Sequence, residues 1–235
     1  MPDVERPLES PADLEGYFDQ GSKPREEWGV GIEYERLGVF ADSGRAIPYH
    51  GARSLSAILT RLVAHGRWRP VYAGRNMIAL DGEGCRLTME PGGQLELSGG
   101  VHRRLVDLSN EVARYVALLH EHSESLGITW LGLGLHPFST LAEIPWVPKP
   151  RYAVMSAYLA KTGEQAHRMM KQTAGVQINL DYSDERDAME KLRAAMGLTS
   201  LVTALVASSP LLEGRTTDRM STRSWIWQHT DPTRC

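Results

Sequence analysis

Four glutamates are the residues best placed to do chemistry in this sequence. Glu33 and Glu35 sit two apart in Gly31-Ile32-Glu33-Tyr34-Glu35, and Glu90 and Glu96 bracket Pro91-Gly92-Gly93-Gln94-Leu95. Residues two apart on a strand share a face. Each stretch therefore offers carboxylates on one side, and if the two stretches are neighbours, four negative charges converge. In a low-dielectric cleft they cannot all stay ionised without a counter-charge. A hard divalent cation such as Mg²⁺, which takes carboxylate oxygens, is the natural one. The glycines between Glu90 and Glu96 permit close approach of a ligand to the backbone. Glutamates on solvated strand faces would show the same spacing, so spacing alone leaves both readings open.

Arg151 and Arg223 come next, because a guanidinium fork matches carboxylates and phosphates. Arg223 lies beside Trp225 and Trp227 in a segment that reads as strand-like. Each arginine also fits an ordinary solvated surface residue. Gln177 and Asn179 fall on the polar side of an alternating segment, where amides could orient a polar substrate or simply face solvent. His120-Glu121-His122 lacks the spacing of a helical zinc motif and reads as a solvated helix face. The phosphate-loop, dinucleotide-fold and nucleophile-elbow signatures are absent. Neither Cys85 nor Cys235 stands beside an obvious base, which argues against a thiol nucleophile.

The elements that must position these residues follow from periodicity and punctuation. Ser10-Pro11-Ala12-Asp13 predicts a capped helix start, with the helix ending near Gly21. The run 28–38 alternates and predicts a strand with Glu33 and Glu35 on one side and Ile32 and Tyr34 on the other. Ser54 opens a short helix with Leu55, Ile58, Leu59 and Leu62 on one stripe, closed by Gly66. Strands are expected around Met77–Leu80 and Cys85–Ser98, the second with Leu87, Met89, Leu95 and Leu97 on one face, unless Pro91-Gly92-Gly93 forms a bulge or kink. Residues 103–126 predict a long helix with Leu105, Leu108, Val112, Val116 and Leu119 inward. Ile128 to Leu135 reads as a buried strand, 143–151 as a proline-rich loop, and Tyr152–Leu159 as a helix. In 173–182, Val176, Ile178 and Leu180 are expected to face a core. Two helical segments follow, near 185–196 and 198–208.

Strands with one apolar and one polar face predict an α+β fold: an antiparallel sheet with helices packed on its apolar face and a polar concavity opposite. The 235 residues hold 26 basic and 29 acidic side chains for a net charge of -3, which argues against a nucleic-acid partner. Mean hydropathy is -0.32, and no apolar run is long enough to span a membrane. The first six residues lack the apolar stretch of a secretion signal. Two cysteines make no disulfide framework, which points to a reducing, cytoplasmic compartment.

The motifs carry a resemblance. Gly31-Ile32-Glu33-Tyr34-Glu35, the run Met89-Glu90-Pro91-Gly92-Gly93-Gln94-Leu95-Glu96-Leu97-Ser98-Gly99, Val176-Gln177-Ile178-Asn179-Leu180-Asp181, and Ser221-Thr222-Arg223-Ser224-Trp225-Ile226-Trp227 with Thr230-Asp231 resemble, in order and spacing, the plant and proteobacterial type of glutamate–cysteine ligase. The Glu-Pro-Gly-Gly-Gln-x-Glu-x-Ser-Gly run is the most specific of them. The similarity implies a glutamine-synthetase-like catalytic fold with a curved antiparallel sheet. It also implies ATP-dependent joining of the glutamate γ-carboxylate to the amine of cysteine through a γ-glutamyl phosphate. In that frame Glu33, Glu35, Glu90 and Glu96 hold Mg²⁺, Arg151 binds glutamate, and Arg223 binds a substrate carboxylate or the transferring phosphoryl group. Gln177, Asn179 and Trp227 line the same surface. A related ligase with another amine acceptor, a non-catalytic binding remnant and a metal-dependent hydrolase using the same carboxylates are the competing readings. The chain departs from the family at Thr173-Ala174-Gly175, where Thr-Cys-Thr is frequent, and at Tyr34, where histidine is common. Family members run to roughly twice this length, so the expectation is one incomplete catalytic domain with residues 1–27 as a helical lead-in.

Overall fold

An 11-residue strand, β1 (Val30–Phe40), organises the molecule. The computed structural model describes residue 7 and residues 9–233, so the expectations for the first six residues and for Cys235 lie outside the described residues. One edge of β1 pairs with β5 (Leu95–Ser98). Its other edge is shared end to end by β7 (Val176–Leu180), along the first half, and β6 (Ile128–Leu131), along the second. Beyond β5 the sheet continues through β4 (Arg86–Met89), β3 (Asn76–Asp81) and β2 (Arg69–Ala73), and every pairing is antiparallel. A two-stranded ribbon, β8 (Leu211–Leu212) with β9 (Arg215–Thr216), stands apart.

The apolar side of the sheet is covered as its alternation demands. Leu87, Met89, Leu95 and Leu97 are buried against α2 (Leu55–Ala64) and α3 (Leu105–Ser123). The stripe Leu55, Ile58, Leu59 and Leu62 is fully buried, and Ser54 caps α2 by accepting from the Ala57 N–H at 3.2 Å. In α1 (Pro11–Gln20), the Ser10 N–H donates to Asp13 at 2.8 Å, the expected capping box. Gly127 closes the turn after α3 with φ of 63°, a left-handed conformation that glycine adopts without steric cost. Side chains of α4 (Pro150–Leu159) and α5 (Ala166–Gln172) join the same core through Tyr152, Leu159, Ala166 and Met170.

Five expectations need correction. The stretch 85–98 is a hairpin, β4–turn–β5, and not one strand. The Glu90 N–H bonds the Gln94 carbonyl at 2.8 Å and the Gly93 N–H bonds that of Glu90 at 2.9 Å, so Pro-Gly-Gly closes a turn. Gln94 is buried there, its amide donating to the Met170 and Thr173 carbonyls and its oxygen accepting from the Gly92 N–H. Residues 185–205 form one helix, α6 (Glu185–Leu205), running through Gly197. The Asp184 cap and the Asp187–Lys191 and Arg186–Glu190 pairs outweigh the roughly 1 kcal/mol that an interior glycine costs. The segment around Arg223 is helical too: α7 (Thr222–Gln228), capped by Ser221, which accepts from the Ser224 N–H.

Leu105 does not face inward. It is 71% exposed, because α3 packs through its second half, where Tyr115 and Leu119 are buried. Val176, Ile178 and Leu180 do not face a core either. They are 56%, 54% and 59% exposed, since α2 and α3 lie behind β3, β1 and β6 and do not extend over β7. Helix α6 likewise buries no residue.

The Pro-Gly-Gly turn is set by one close approach. A Cβ on Gly92 would stand 2.0 Å from the Lys171 carbonyl oxygen, and backbone cannot yield as a side-chain tip does. Gly92→Ala is expected to lower stability by about 1–3 kcal/mol in urea denaturation, and an unchanged midpoint would show that the turn relaxes freely.

Candidate active site

The register brings the four glutamates onto one face. Glu35 stands directly opposite Glu96 and Glu33 opposite Ser98 across the β1–β5 ladder. On the other side of β1, Gln177 stands opposite Glu33. Glu90 opens the β4–β5 turn and is the carboxylate that Glu35 senses most strongly, while Glu96 is the one that Glu90 senses most strongly. The expected convergence of two distant acidic stretches is therefore what the fold produces.

Three of the four carboxylates are oriented by neutral donors. Gln177 donates from Nε2 to Glu33 Oε2 at 2.8 Å, and Asn179 from Nδ2 to Glu33 Oε1 at 3.3 Å. Both amides are thus engaged with Glu33 and do not simply line an open surface. The Gly175 N–H donates to Glu35 Oε2 at 2.8 Å. Glu96, buried, accepts from the Thr88 and Ser98 hydroxyls at 3.0 and 3.1 Å on one oxygen. None of the four forms an ion pair among the described residues.

Such an arrangement resists full ionisation. Burial, aided by Glu90 and Glu96 and opposed by the Gly175 N–H and Arg223, pushes the Glu35 carboxyl up to about 7. Burial and Glu96 raise Glu90, with Lys149 and Arg151 pulling the other way. Both shifts are those of carboxylates taken out of water beside like charges.

Cations flank the acidic wall at both ends. Arg223 reaches over the β7 entry, where a Cβ on Gly175 would lie 2.9 Å from its Nη2. Its side chain is largely buried, which lowers its basicity, while Glu35 supports its charge. Its Nε is buried without a hydrogen-bond partner, and its guanidinium lies 5.5 Å from the Trp227 ring centre, one helical turn away. Lys149 and Arg151 stand near Glu90, each over the Tyr152 ring at 5.4 and 5.5 Å. Tyr152 itself donates to the Met89 carbonyl at 2.9 Å. Arg151, Arg223, Gln177 and Asn179 thus all border the glutamates, and Trp227 reaches them through Arg223.

Sequence reasoning missed Lys149, Thr88 and the Gly175 N–H. The one available signal was Pro148-Lys149-Pro150-Arg151, where fixed backbone puts two cations a residue apart beside the turn that carries Glu90.

The geometry is thus an acidic wall of carboxylate oxygens with cations at both ends that form no ion pair with it among the described residues. Residues 29–235 match the model of glutamate-cysteine ligase family 2. The chain is 37% identical over 222 residues to glutamate–cysteine ligase A, chloroplastic, of Oryza sativa subsp. japonica, covering 94% of this chain and 44% of that protein. It is 36% identical to the chloroplastic glutamate–cysteine ligase of Nicotiana tabacum and 35% identical to that of Arabidopsis thaliana, covering 42% of each. The protein belongs to the glutamate–cysteine ligase family 2, and it spans less than half the length of these relatives. Their names place those proteins in the chloroplast, which departs from the cytoplasmic compartment expected from cysteine usage. No helix among the described residues is long and apolar enough to cross a membrane.

Without a cation, Glu35 carries a linkage signature. Between pH 4.5 and about 7 the folded protein keeps a proton that the unfolded chain has lost, so stability falls as pH rises through that window. Glu35→Gln keeps an oxygen for the Gly175 N–H and removes the charge. In chelator, the variant is expected to match the native protein at pH 4 and to gain up to about 3 kcal/mol at pH 8. A gain equal at both pH values in thermal or urea melts would contradict the shift.

Proposed function

We propose that the acidic wall is the metal- and phosphate-handling side of an ATP-dependent ligase site that forms γ-glutamylcysteine, in one incomplete catalytic domain of glutamine-synthetase-like type. The observation that carries this reading is the placement of Glu33, Glu35, Glu90 and Glu96 on one sheet face, with Arg223 at one end and Lys149 and Arg151 at the other. An all-carboxylate oxygen set with two members raised above their ordinary pKa fits a hard dication such as Mg²⁺. When bound, Mg²⁺ supplies neutralising charge for the ATP phosphates.

The residues of the chain do the remaining work. Gln177 and Asn179 hold both oxygens of Glu33 from one side, and Thr88 and Ser98 hold Glu96, so the wall is ordered before a ligand arrives. Arg151 sits at the exposed rim, where a fork can take the α-carboxylate of glutamate. Arg223, unpaired and largely desolvated, is placed to stabilise charge that builds on the transferring phosphoryl group. An oxygen of the γ-carboxylate forms a bond to the ATP γ-phosphorus as ADP leaves. The amine of cysteine then bonds to the acyl carbon, phosphate leaves, and the amine loses a proton. Trp227 packs along Arg223 and limits the directions that its guanidinium can take.

The test is phosphate release from ATP and Mg²⁺. Release that requires both glutamate and cysteine is expected, with Arg223→Lys and Glu96→Gln each lowering kcat/KM by roughly 100-fold or more. Release indifferent to the amino acids, or cleavage of a γ-glutamyl amide without ATP, would overturn the assignment. Binding of Mg²⁺ and ATP with no turnover, in this chain and in longer chains from the same locus, would reduce it to a binding remnant.

A further inference from the structure

The sheet has a second cleft, on the face opposite the glutamates. Leu97, Tyr115, Trp68, Glu111, Arg114 and Glu121 are among the residues that line it, around a volume of about 1060 Å³. Its lining includes His65 at the end of α2 and Glu121 at the end of α3. There His65, Glu121 and His122 each bring one nitrogen or carboxylate oxygen within 4.8 Å of the other two.

Several observations make this more than neighbouring surface residues. The two helix ends are tied together, because Arg61 Nη1 donates to the His122 carbonyl at 3.2 Å and to Ser125 Oγ at 2.7 Å. The backbones that carry the three side chains are therefore held together. The His122 Nε2 is buried and has no hydrogen-bond partner, a state that costs about 1–3 kcal/mol for a polar group. The His65 and His122 rings meet edge to face at 5.3 Å, so His65 is packed toward the cluster. Adjacent residues on a helix point about 100° apart, and the third member of the cluster, His65, comes from another element. That is why the sequence His120-Glu121-His122 carries no recognisable motif: the third ligand comes from α2, and His120 is not part of the cluster.

We propose that His65, Glu121 and His122 form a binding site for a borderline transition-metal ion of the Zn²⁺ type, separate from the acidic wall. Two imidazoles and one carboxylate suit Zn²⁺ and disfavour Mg²⁺, which prefers oxygen donors. Tetrahedral coordination places donors roughly 3.4 Å apart, so side-chain rotations of about 1 Å close the site around an ion. Three protein ligands would leave a fourth position for water or another ligand. The nearby Arg61 guanidinium is engaged with α3 and opposes a cation, which sets a moderate and reversible affinity. The ion would clip α2 to α3 behind the sheet.

The test is titration of the metal-stripped full chain with Zn²⁺ alone, followed by calorimetry, beside His65→Ala and Glu121→Gln, both exposed positions. One equivalent is expected to bind with micromolar affinity. Each variant is expected to weaken it about tenfold or more, and Glu96→Gln to leave it unchanged. Tetrahedral Co²⁺ absorption in the native protein, lost in His65→Ala, is the spectroscopic counterpart. Equal Zn²⁺ affinity in native protein and both variants would overturn the site. So would loss of binding only in Glu96→Gln, which places the ion on the acidic wall, or only in Cys85→Ser or Cys235→Ser, which places it on a thiol. These outcomes do not depend on ATP turnover, so failure here and failure of the ligase reading are distinguishable.

Discussion

Mutual repulsion among four carboxylates on one sheet face is the constraint around which the rest is arranged. Glu35 faces Glu96 across a ladder, and Glu90 adds its charge to both. The ordinary solution would be to pair each with an arginine or lysine. Here Glu33, Glu35 and Glu96 are held by neutral groups: two amides, two hydroxyls and a backbone N–H. Neutral donors fix direction without cancelling charge. Burial first, and neighbouring like charge second, raise the carboxyl pKa values of Glu35 and Glu90, a cost of about 1.4 kcal/mol per unit. The cations remain at the ends of the wall, outside ion-pairing distance, so both signs of charge are left for a ligand. A wall neutralised by its own arginines would be more stable and would present no uncompensated charge of either sign.

The scaffold follows from that need. β1 must present Glu33 and Glu35 outward while Ile32 and Leu37 are buried, and it must receive partners along both edges. The hairpin supplies Glu96 from β5 and Glu90 from its turn, and the turn is fixed from below. Gln94 is bonded to the backbone around α5, and Gly92 lies against the Lys171 carbonyl. Glu90 owes its position to a buried amide and a missing Cβ, neither of which touches the wall.

Much of this was legible because short-range rules coincide with the fold. Alternation in 28–38 placed Glu33 and Glu35, and the leucines of the hairpin placed Glu96 opposite the core. What could not be read depends on distant contacts. Bulky Ile226 and the tryptophans imitate a strand, and only the Ser221 cap and packing make α7 a helix. Lys149 looks like a loop residue until the turn bearing Glu90 is brought beside it. Alternation showed that Val176, Ile178 and Leu180 share a face, but the pleat does not say whether anything lies behind that face. The same holds for His65, about 57 residues from its two companions, since no periodicity links separate helices.

The exposure of β7 bears directly on the wall. Gln177 and Asn179, which orient both oxygens of Glu33, belong to the strand whose every residue is exposed. β7 is held by its ladder to β1 and by Asp181 beyond its end, which accepts from Lys23 and from the Gly29 N–H. Strands with exposed hydrogen bonds and few apolar contacts open at lower free energy than the core. If β7 opens, Glu33 loses its two donors while Glu35 and Glu96 keep the Gly175 side and the hairpin, respectively, only as far as the β7 entry stays in place. The exposed apolar residues on the back of β7 and those of α6, which buries none of its residues, would each gain about 25 cal/mol per Å² from a cover. A covering element would therefore act on the chemistry at a distance, by holding the strand that holds Glu33, without touching a carboxylate.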